Sequence, residues 1–329
     1  MVESLTPLSA LGARRILMTG GTGFVGAHFC PLLARAAPEA ERLLVRMPGD
    51  GGAREGWRSV DAAITDRARL AALVRDFKPD LVLHFAAQAS GAASWTAGEQ
   101  TWRVNFDGAL ELASATAAHA PGATFFFVSS SETYGRSFME GPADETTPLL
   151  PMNAYARSKA AAETMLPDVL GPDQKLIVVR PFNHTGAGQD TRFVAPAFAA
   201  QIAAIEAGAE PVVRVGDLSA RREFLDVRDV CAAYLALLGA DLGANLGARE
   251  TFNVCTGRAY AIADLLAGLR ARARRPFEVV QDPARMRPSD IAHASGAPDR
   301  LYAATGWRPA FALDDTLDAL MADWRARQP

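Results

Sequence analysis

A glycine-rich turn between a strand-length apolar run and a helical run constrains this chain more than any other feature. Arg15–Thr19 (RILMT) reads as a buried strand, Gly20–Gly26 (GGTGFVG) as a turn and Phe24–Ala36 as a helix, with a second strand at Glu41–Arg46 (ERLLVR). In that setting Gly20, Gly23 and Gly26 permit a tight turn, close approach of backbone to a pyrophosphate, and close packing of helix on strand. The helix N-terminus, with Phe24 and Val25 in its first turn, offers N–H groups and the positive end of a dipole to an anion. Strand, turn and helix in this order predict a dinucleotide site; a turn that serves only to turn is the bland alternative.

The rhythm continues along the chain. Further strands are predicted at Leu81–Phe85, Ala123–Val128 and Leu176–Arg180, with helices around Arg69–Phe77, Glu99–His119 and Asn153–Leu166. Strands alternating with helices are the pattern of parallel βαβ units. The expected fold is therefore α/β, a Rossmann-like doubly wound parallel sheet. After Arg180 the pattern breaks into Gly- and Pro-containing loops with short strands, such as Pro211–Val215 and Phe277–Val280, which predicts a smaller C-terminal α/β substrate domain. We expect residues 1–181 and 224–256 in the cofactor domain and 182–223 and 257–329 in the substrate domain, packed across a cleft.

Charge narrows the partners. With 34 basic against 37 acidic residues the net charge is −3, which lacks the concentrated basic excess that nucleic acids or anionic membranes attract. Small molecules are the expected partners. No apolar run approaches about 18 residues, and the start MVESLTPLSALGARR lacks the basic opening and apolar core of a secretory signal. Cys30, Cys231 and Cys255 show no CxxC or metal-ligand spacing. A cytoplasmic protein without a metal is expected. His84 reads as a core histidine, His28 and His119 as helix-surface residues.

Three further elements carry chemistry. In Tyr155-Ala-Arg-Ser-Lys159 the phenol and the ammonium share one helix face at i and i+4. A nearby cation favours phenolate, so Lys159 is expected to lower the Tyr155 pKa and make it a proton donor or acceptor near working pH. Chance placement on a solvated helix is the alternative, yet Lys159 is one of only three lysines, with Lys78 and Lys175, beside 31 arginines. Ser129-Ser-Ser-Glu-Thr-Tyr134-Gly follows a strand whose end should face the ligand crevice, where a hydroxyl can bond a substrate oxygen or merely cap the strand. The second strand ends in Arg46 with no acid before Asp50. An acid there would bind a ribose 2′-OH and an arginine a 2′-phosphate, so NADP(H) is preferred over NAD(H), with a solvated surface arginine as the alternative.

Taken together, TGGTGFVG, HFAAQAS, RVNFDGALEL, SSSETYG, YARSK and RPFN resemble the extended short-chain dehydrogenase/reductase family that acts on nucleotide sugars. RPFNHTGAGQ, VGDLSARREFLDVRDV, NVCTGRAYAI and RMRPSDI are similar to the GDP-6-deoxy-D-mannose reductases within it. The resemblance implies an enzyme that reduces the C4 keto group of GDP-4-dehydro-6-deoxy-D-mannose. It implies that Ser130 holds the carbonyl oxygen, Tyr155 protonates it, and Lys159 lowers the Tyr155 pKa while binding the nicotinamide ribose. Ala86, Ala87 and Gln88 would line the cofactor. Asn183 and Val194 would line the substrate, Arg222 and Arg287 would grip its diphosphate, and His184 is a neighbour within reach. Planar guanidinium groups suit such oxygens because they donate two parallel charge-assisted bonds. Relatives form homodimers through helices equivalent to Glu99–His119 and Asn153–Leu166. Two departures stand out. Where many relatives place an adenine-binding Asp, this chain reads Ala63-Ile64-Thr65-Asp66, with Asp61 as a substitute. Glu132 stands where 4,6-dehydratases keep the base that removes the C5 proton, which leaves dehydration, or epimerisation, open beside reduction; a dinucleotide-binding module without turnover is the non-enzymatic alternative.

Overall fold

The computed structural model describes residues 14–89, 91, 93–240, 248–286 and 291–328. The first half runs β1 (Arg15–Thr19), α1 (Phe24–Ala36), β2 (Glu41–Arg46), β3 (Arg58–Asp61), α2 (Arg67–Phe77), β4 (Leu81–His84), α3 (Gly98–Trp102), α4 (Gly108–His119), β5 (Thr124–Val128), α5 (Ala154–Leu170) and β6 (Leu176–Pro181). The second half has short strands β7 (His184–Thr185), β8 (Val212–Val215), β9 (Arg221–Glu223) and β10 (Leu225–Asp226), with α6 (Val194–Glu206) before β8. It continues with α7 (Val227–Gly239), β11 (Arg249–Val254), β12 (Ala259–Ala261), α8 (Ile262–Arg272), β13 (Glu278–Gln281), β14 (His293–Ala294), α9 (Asp299–Thr305) and α10 (Leu313–Ala326).

Seven parallel strands form the central sheet in the order β11-β6-β5-β4-β1-β2-β3. The fold is α/β and Rossmann-like. Alternation along β1 sends Ile16 and Met18 into the core on one face of the sheet and Leu17 into the core on the other. A third apolar cluster joins α6, α8 and α10 to the β8–β13 pair. Strand order reverses between β1 and β4, where Thr19 pairs with His84, and a doubly wound sheet opens its ligand crevice at such a switch point.

Several elements differ from expectation for physical reasons. β4 stops at His84 rather than Phe85 because the chain turns there, and the Ala86 N–H donates to Thr19 Oγ1 at 3.2 Å. The helix expected over 99–119 runs continuously from Gly98 to His119 but passes through a π turn at Arg103–Asp107. That turn buries Asn105, whose Oδ1 accepts from the Gln88 N–H at 2.8 Å and whose Nδ2 donates to Ser158 Oγ at 3.0 Å. The helix expected to end at Leu166 runs through Pro167 to Leu170. β3 went unread because this edge strand is only partly buried and short. β11, which is not among the expected strands, pairs with β6 along its whole length.

Candidate active site

A cavity of about 560 Å³ opens at the C-terminal ends of β1, β2, β5 and β6 and at the first turn of α6. Its first wall is the glycine turn. Gly20 has φ +74°, and a Cβ there would stand 2.5 Å from the Ala86 nitrogen; a Cβ on Gly26 would stand 2.5 Å from Gly21 Cα. Only glycine allows both approaches. No side chain caps α1 among the described residues and its first turn holds no acid, so its N–H groups and dipole face an anion uncompensated. Phe24, Val25, Ala86, Ala87 and Gln88 line the same wall, and these residues fit a dinucleotide. Arg54, which sequence reasoning missed, braces the turn from behind by donating to the carbonyls of Gly21 and Thr22 at 3.0 and 3.2 Å.

Arg46 reaches the cavity, but its Nε donates to Asp61 Oδ1 at 2.5 Å. The arginine that would meet a 2′-phosphate thus carries its own counter-ion, and Asp61 is engaged by Arg46 rather than standing free as an adenine ligand. Asp66 caps α2 by accepting from the Arg69 N–H. Ala62 and Ile64 supply the wall beside Arg46.

The polar centre lies deeper, where β5 meets α5. Ser130, Glu132, Tyr155 and Lys159 all line the cavity. Ser130 is 7% exposed and accepts from the Glu132 N–H at 3.2 Å, and its hydroxyl is close enough to act on the Tyr155 phenol. The Tyr155 pKa is not lowered as the YxxxK spacing predicts. Burial, and secondly the Glu132 carboxylate, raise it well above the ordinary phenol value against the opposing Ser130 hydroxyl. The Lys159 ammonium donates to Val128 O at 2.7 Å and sits 4.8 Å over the Phe127 ring. Desolvation pushes Lys159 down to about 7, opposed by the Glu163 carboxylate one turn further along α5. His84, confirmed as a core histidine, is held neutral near 3 by burial, with its Nδ1 sharing a 2.8 Å hydrogen bond with Thr19 Oγ1.

Beneath this centre lies a buried network. Glu163 accepts from Ser129 Oγ and pairs with Arg180 at 2.6 Å. Arg180 Nη1 donates to Tyr134 Oη at 2.9 Å, and Tyr134 donates to Asn253 Oδ1 at 2.7 Å. The network locks β5, α5, β6 and β11 together behind the reactive groups. Glu163 was readable in principle: it continues the i, i+4 face of Tyr155 and Lys159.

On the far side, Asn183 and Val194 line the cavity. His184 stacks on Phe24 with centroids 6.2 Å apart, and His28 is no bland surface residue, since its Nε2 shares a 2.8 Å hydrogen bond with Ala187 O. Arg222 is not in the cavity wall. Its guanidinium donates to the carbonyls of Arg221 and Ile291 at 2.8 and 2.9 Å, from where it acts electrostatically on Glu132. Arg287 lies outside the described residues. No group of three or more His, Cys, Asp or Glu placed to hold a metal occurs among the described residues, and no helix among them is long and apolar enough to cross a membrane.

Comparison with known proteins follows this geometry. Residues 17–320 match the family model described as GDP-mannose 4,6 dehydratase. The chain is 34% identical to the GDP-6-deoxy-D-mannose reductase of Pseudomonas aeruginosa, over 95% of this chain and 98% of that protein. It is 29% identical to a UDP-glucose 4-epimerase of Rhizobium leguminosarum bv. trifolii, over 96% and 99%. Among solved structures, RMD from Pseudomonas aeruginosa complexed with NADPH superposes with a TM-score of 0.80 at 32% identity, covering 96% of this chain and all of that one. The UDP-glucose 4-epimerase of Thermus thermophilus in complex with NAD gives 0.80 at 27%, covering 95% and 100%.

Proposed function

This chain belongs to the GDP-mannose 4,6-dehydratase family of extended short-chain dehydrogenase/reductases, and from that premise we propose that it reduces the C4 keto group of GDP-4-dehydro-6-deoxy-D-mannose to give GDP-D-rhamnose. It is an NAD(P)-dependent oxidoreductase of nucleotide sugars. The observation that carries the reading is the placement of Ser130, Tyr155 and Lys159 in one cavity with the glycine turn, where burial and the Glu132 carboxylate favour the protonated phenol. A ketone reductase needs a proton donor at the carbonyl oxygen. Dehydration and epimerisation start by oxidising the C4 alcohol, which asks the same residue to act as a base.

Bound NADPH supplies the hydride. Ser130 orients the carbonyl oxygen, Tyr155 delivers its proton there, and Lys159 presents its ammonium to the nicotinamide ribose. Gly20, Gly23 and Gly26 admit the pyrophosphate, and Arg46 favours NADPH over NADH to the extent that Asp61 leaves its charge available. Asn183 and Val194 meet the substrate. We assign the diphosphate to Arg222, turning out from its carbonyl partners, and to Arg287. Residues 1–181 and 224–256 form the cofactor unit in this scheme, and 182–223 and 257–329 the substrate unit. We place the protein in the cytosol as a homodimer joined through the face of α4 and α5, beside which Trp95 is 69% exposed and Trp102 38%.

One observation favours a second reading, GDP-mannose 4,6-dehydration: Glu132 opens into the cavity two residues after Ser130. The test is to supply purified protein with the 4-keto sugar nucleotide plus NADPH, and separately with GDP-mannose alone, and to identify products by sugar NMR. NADPH-dependent formation of the 4-hydroxy sugar, abolished by Tyr155→Phe, supports the reductase. Conversion of GDP-mannose without added reductant replaces it with the dehydratase.

A further inference from the structure

Asn153 joins two parts of the site with one side chain. Its Oδ1 accepts from the Ala156 N–H at 2.8 Å and caps α5, the helix that carries Tyr155 and Lys159. Its Nδ2 donates to Glu132 Oε2 at 2.9 Å. Capping needs only an acceptor, so Ser or Asp would serve as well there. The second bond needs a donor on the same rigid plane, which the amide provides and a carboxylate lacks. The backbone at Gly91 closes the other side, since a Cβ there would stand 2.9 Å from Glu132 Oε2.

We infer that Asn153 is a positioning residue that holds the Glu132 carboxylate in one orientation toward the helix that carries Tyr155, where the carboxylate adds to burial in favouring the protonated phenol. The inference rests on the reading of Tyr155 as proton donor to the substrate. The charged and titratable groups that act on Glu132 among the described residues are Tyr155 on α5 and Arg222 at β9, the latter itself faced by Asp217. Glu132 is exposed to the open cavity; crowding by the walls favours its neutral form, and the Asn153 bond and then the Arg222 charge oppose this. Ionised Glu132 in turn favours neutral Tyr155. Asn153 therefore acts on the phenol at one remove.

Asn153→Ser and Asn153→Asp, in the full-length protein, separate this role from helix capping. Carboxyl carbon-13 NMR, with Glu132→Gln to assign the signal, should show the Glu132 titration moving up by about one pH unit in the Ser variant, the size of one charge-assisted hydrogen bond. It should move further in the Asp variant, where two carboxylates meet. In turnover, the acid limb of kcat/KM for NADPH-dependent reduction should move by the same amount, while NADPH affinity and thermal midpoint stay at wild-type values. In a Glu132→Gln background, Asn153→Ser should change nothing more. An unmoved carboxyl titration overturns the inference, as does an equal loss of kcat in the Glu132→Gln background. If wild-type protein fails to reduce the keto sugar, the proposed function falls while the carboxyl titration still decides the role of Asn153.

Discussion

Replacing Lys159 by Met should stabilise the fold while it removes activity. The side chain is 2% exposed and keeps one carbonyl partner, Val128 O. Desolvation lowers its pKa from 10.5 to about 7 against the pull of Glu163. Between those two values the unfolded chain binds this proton and the folded chain releases it, so stability rises with pH across the window. Below about pH 7 the lysine is charged in both states and the fold bears the whole desolvation cost, roughly 5 kcal/mol at about 1.4 kcal/mol per pH unit. Met retains the aliphatic stem but leaves Val128 O without its donor, a loss of about 1–3 kcal/mol. The net gain is then roughly 2–4 kcal/mol near pH 6, fading near pH 9. Urea unfolding of both proteins at the two pH values gives this difference directly, because every other titrating group is common to them. A variant no more stable than wild type near pH 6, or a difference that does not change with pH, refutes the reasoning.

Two further expectations come from ion pairs of opposite character. Glu163 and Arg180 are 7% and 8% exposed in their side chains, so Glu163→Ala, which leaves a buried guanidinium with only Tyr134 and the Glu145 carbonyl, should cost about 3–5 kcal/mol in thermal or chemical unfolding. Glu163→Leu with Arg180→Met should recover most of that loss, and a double variant as unstable as the single one would show that the network acts through shape rather than charge. Arg46 and Asp61 are 25% and 48% exposed, so solvent screens the pair and it contributes little to stability. Asp61→Asn should release Arg46 toward a 2′-phosphate and raise the ratio of NADPH to NADH affinity several-fold in titration calorimetry, whereas Arg46→Ala should lower it; an unchanged ratio in both would remove Arg46 from cofactor choice.

The cofactor half of the fold was legible because its signals are local. Arg15–Thr19, Gly20–Gly26 and Phe24–Ala36 lie within one short stretch, and the strand, turn and helix appear where the residues place them. Fifteen of the seventeen single residues marked for the site line one cavity, across elements far apart in sequence. What escaped depends on tertiary partners. The π turn at Arg103–Asp107 exists so that Asn105 can bond Gln88 and Ser158, and no periodicity within 99–119 announces it. Arg222 sits in a motif that points to phosphate, yet its guanidinium donates to the carbonyl of its neighbour Arg221 and to that of Ile291, which is close in space but not in sequence. Asn153 opens the helix expected over Asn153–Leu166 with nothing in the sequence to set it apart, and only the fold reveals that it caps α5 and bonds Glu132.

Residue types and spacing locate the reactive groups, but their charge states belong to the fold. Tyr155 and Lys159 at i and i+4 would, on an exposed helix, leave the phenol beside a cation and make it more acidic. Here the phenol is buried, the ammonium donates one hydrogen bond to Val128 O, and the Glu132 carboxylate acts on the phenol in the opposite sense. The same four residues can therefore serve as acid or base catalysts according to where one ammonium points and whether one carboxylate is held ionised. In this chain burial and the Glu132 carboxylate favour the protonated Tyr155, the state that the proposed carbonyl reduction needs before the hydride arrives.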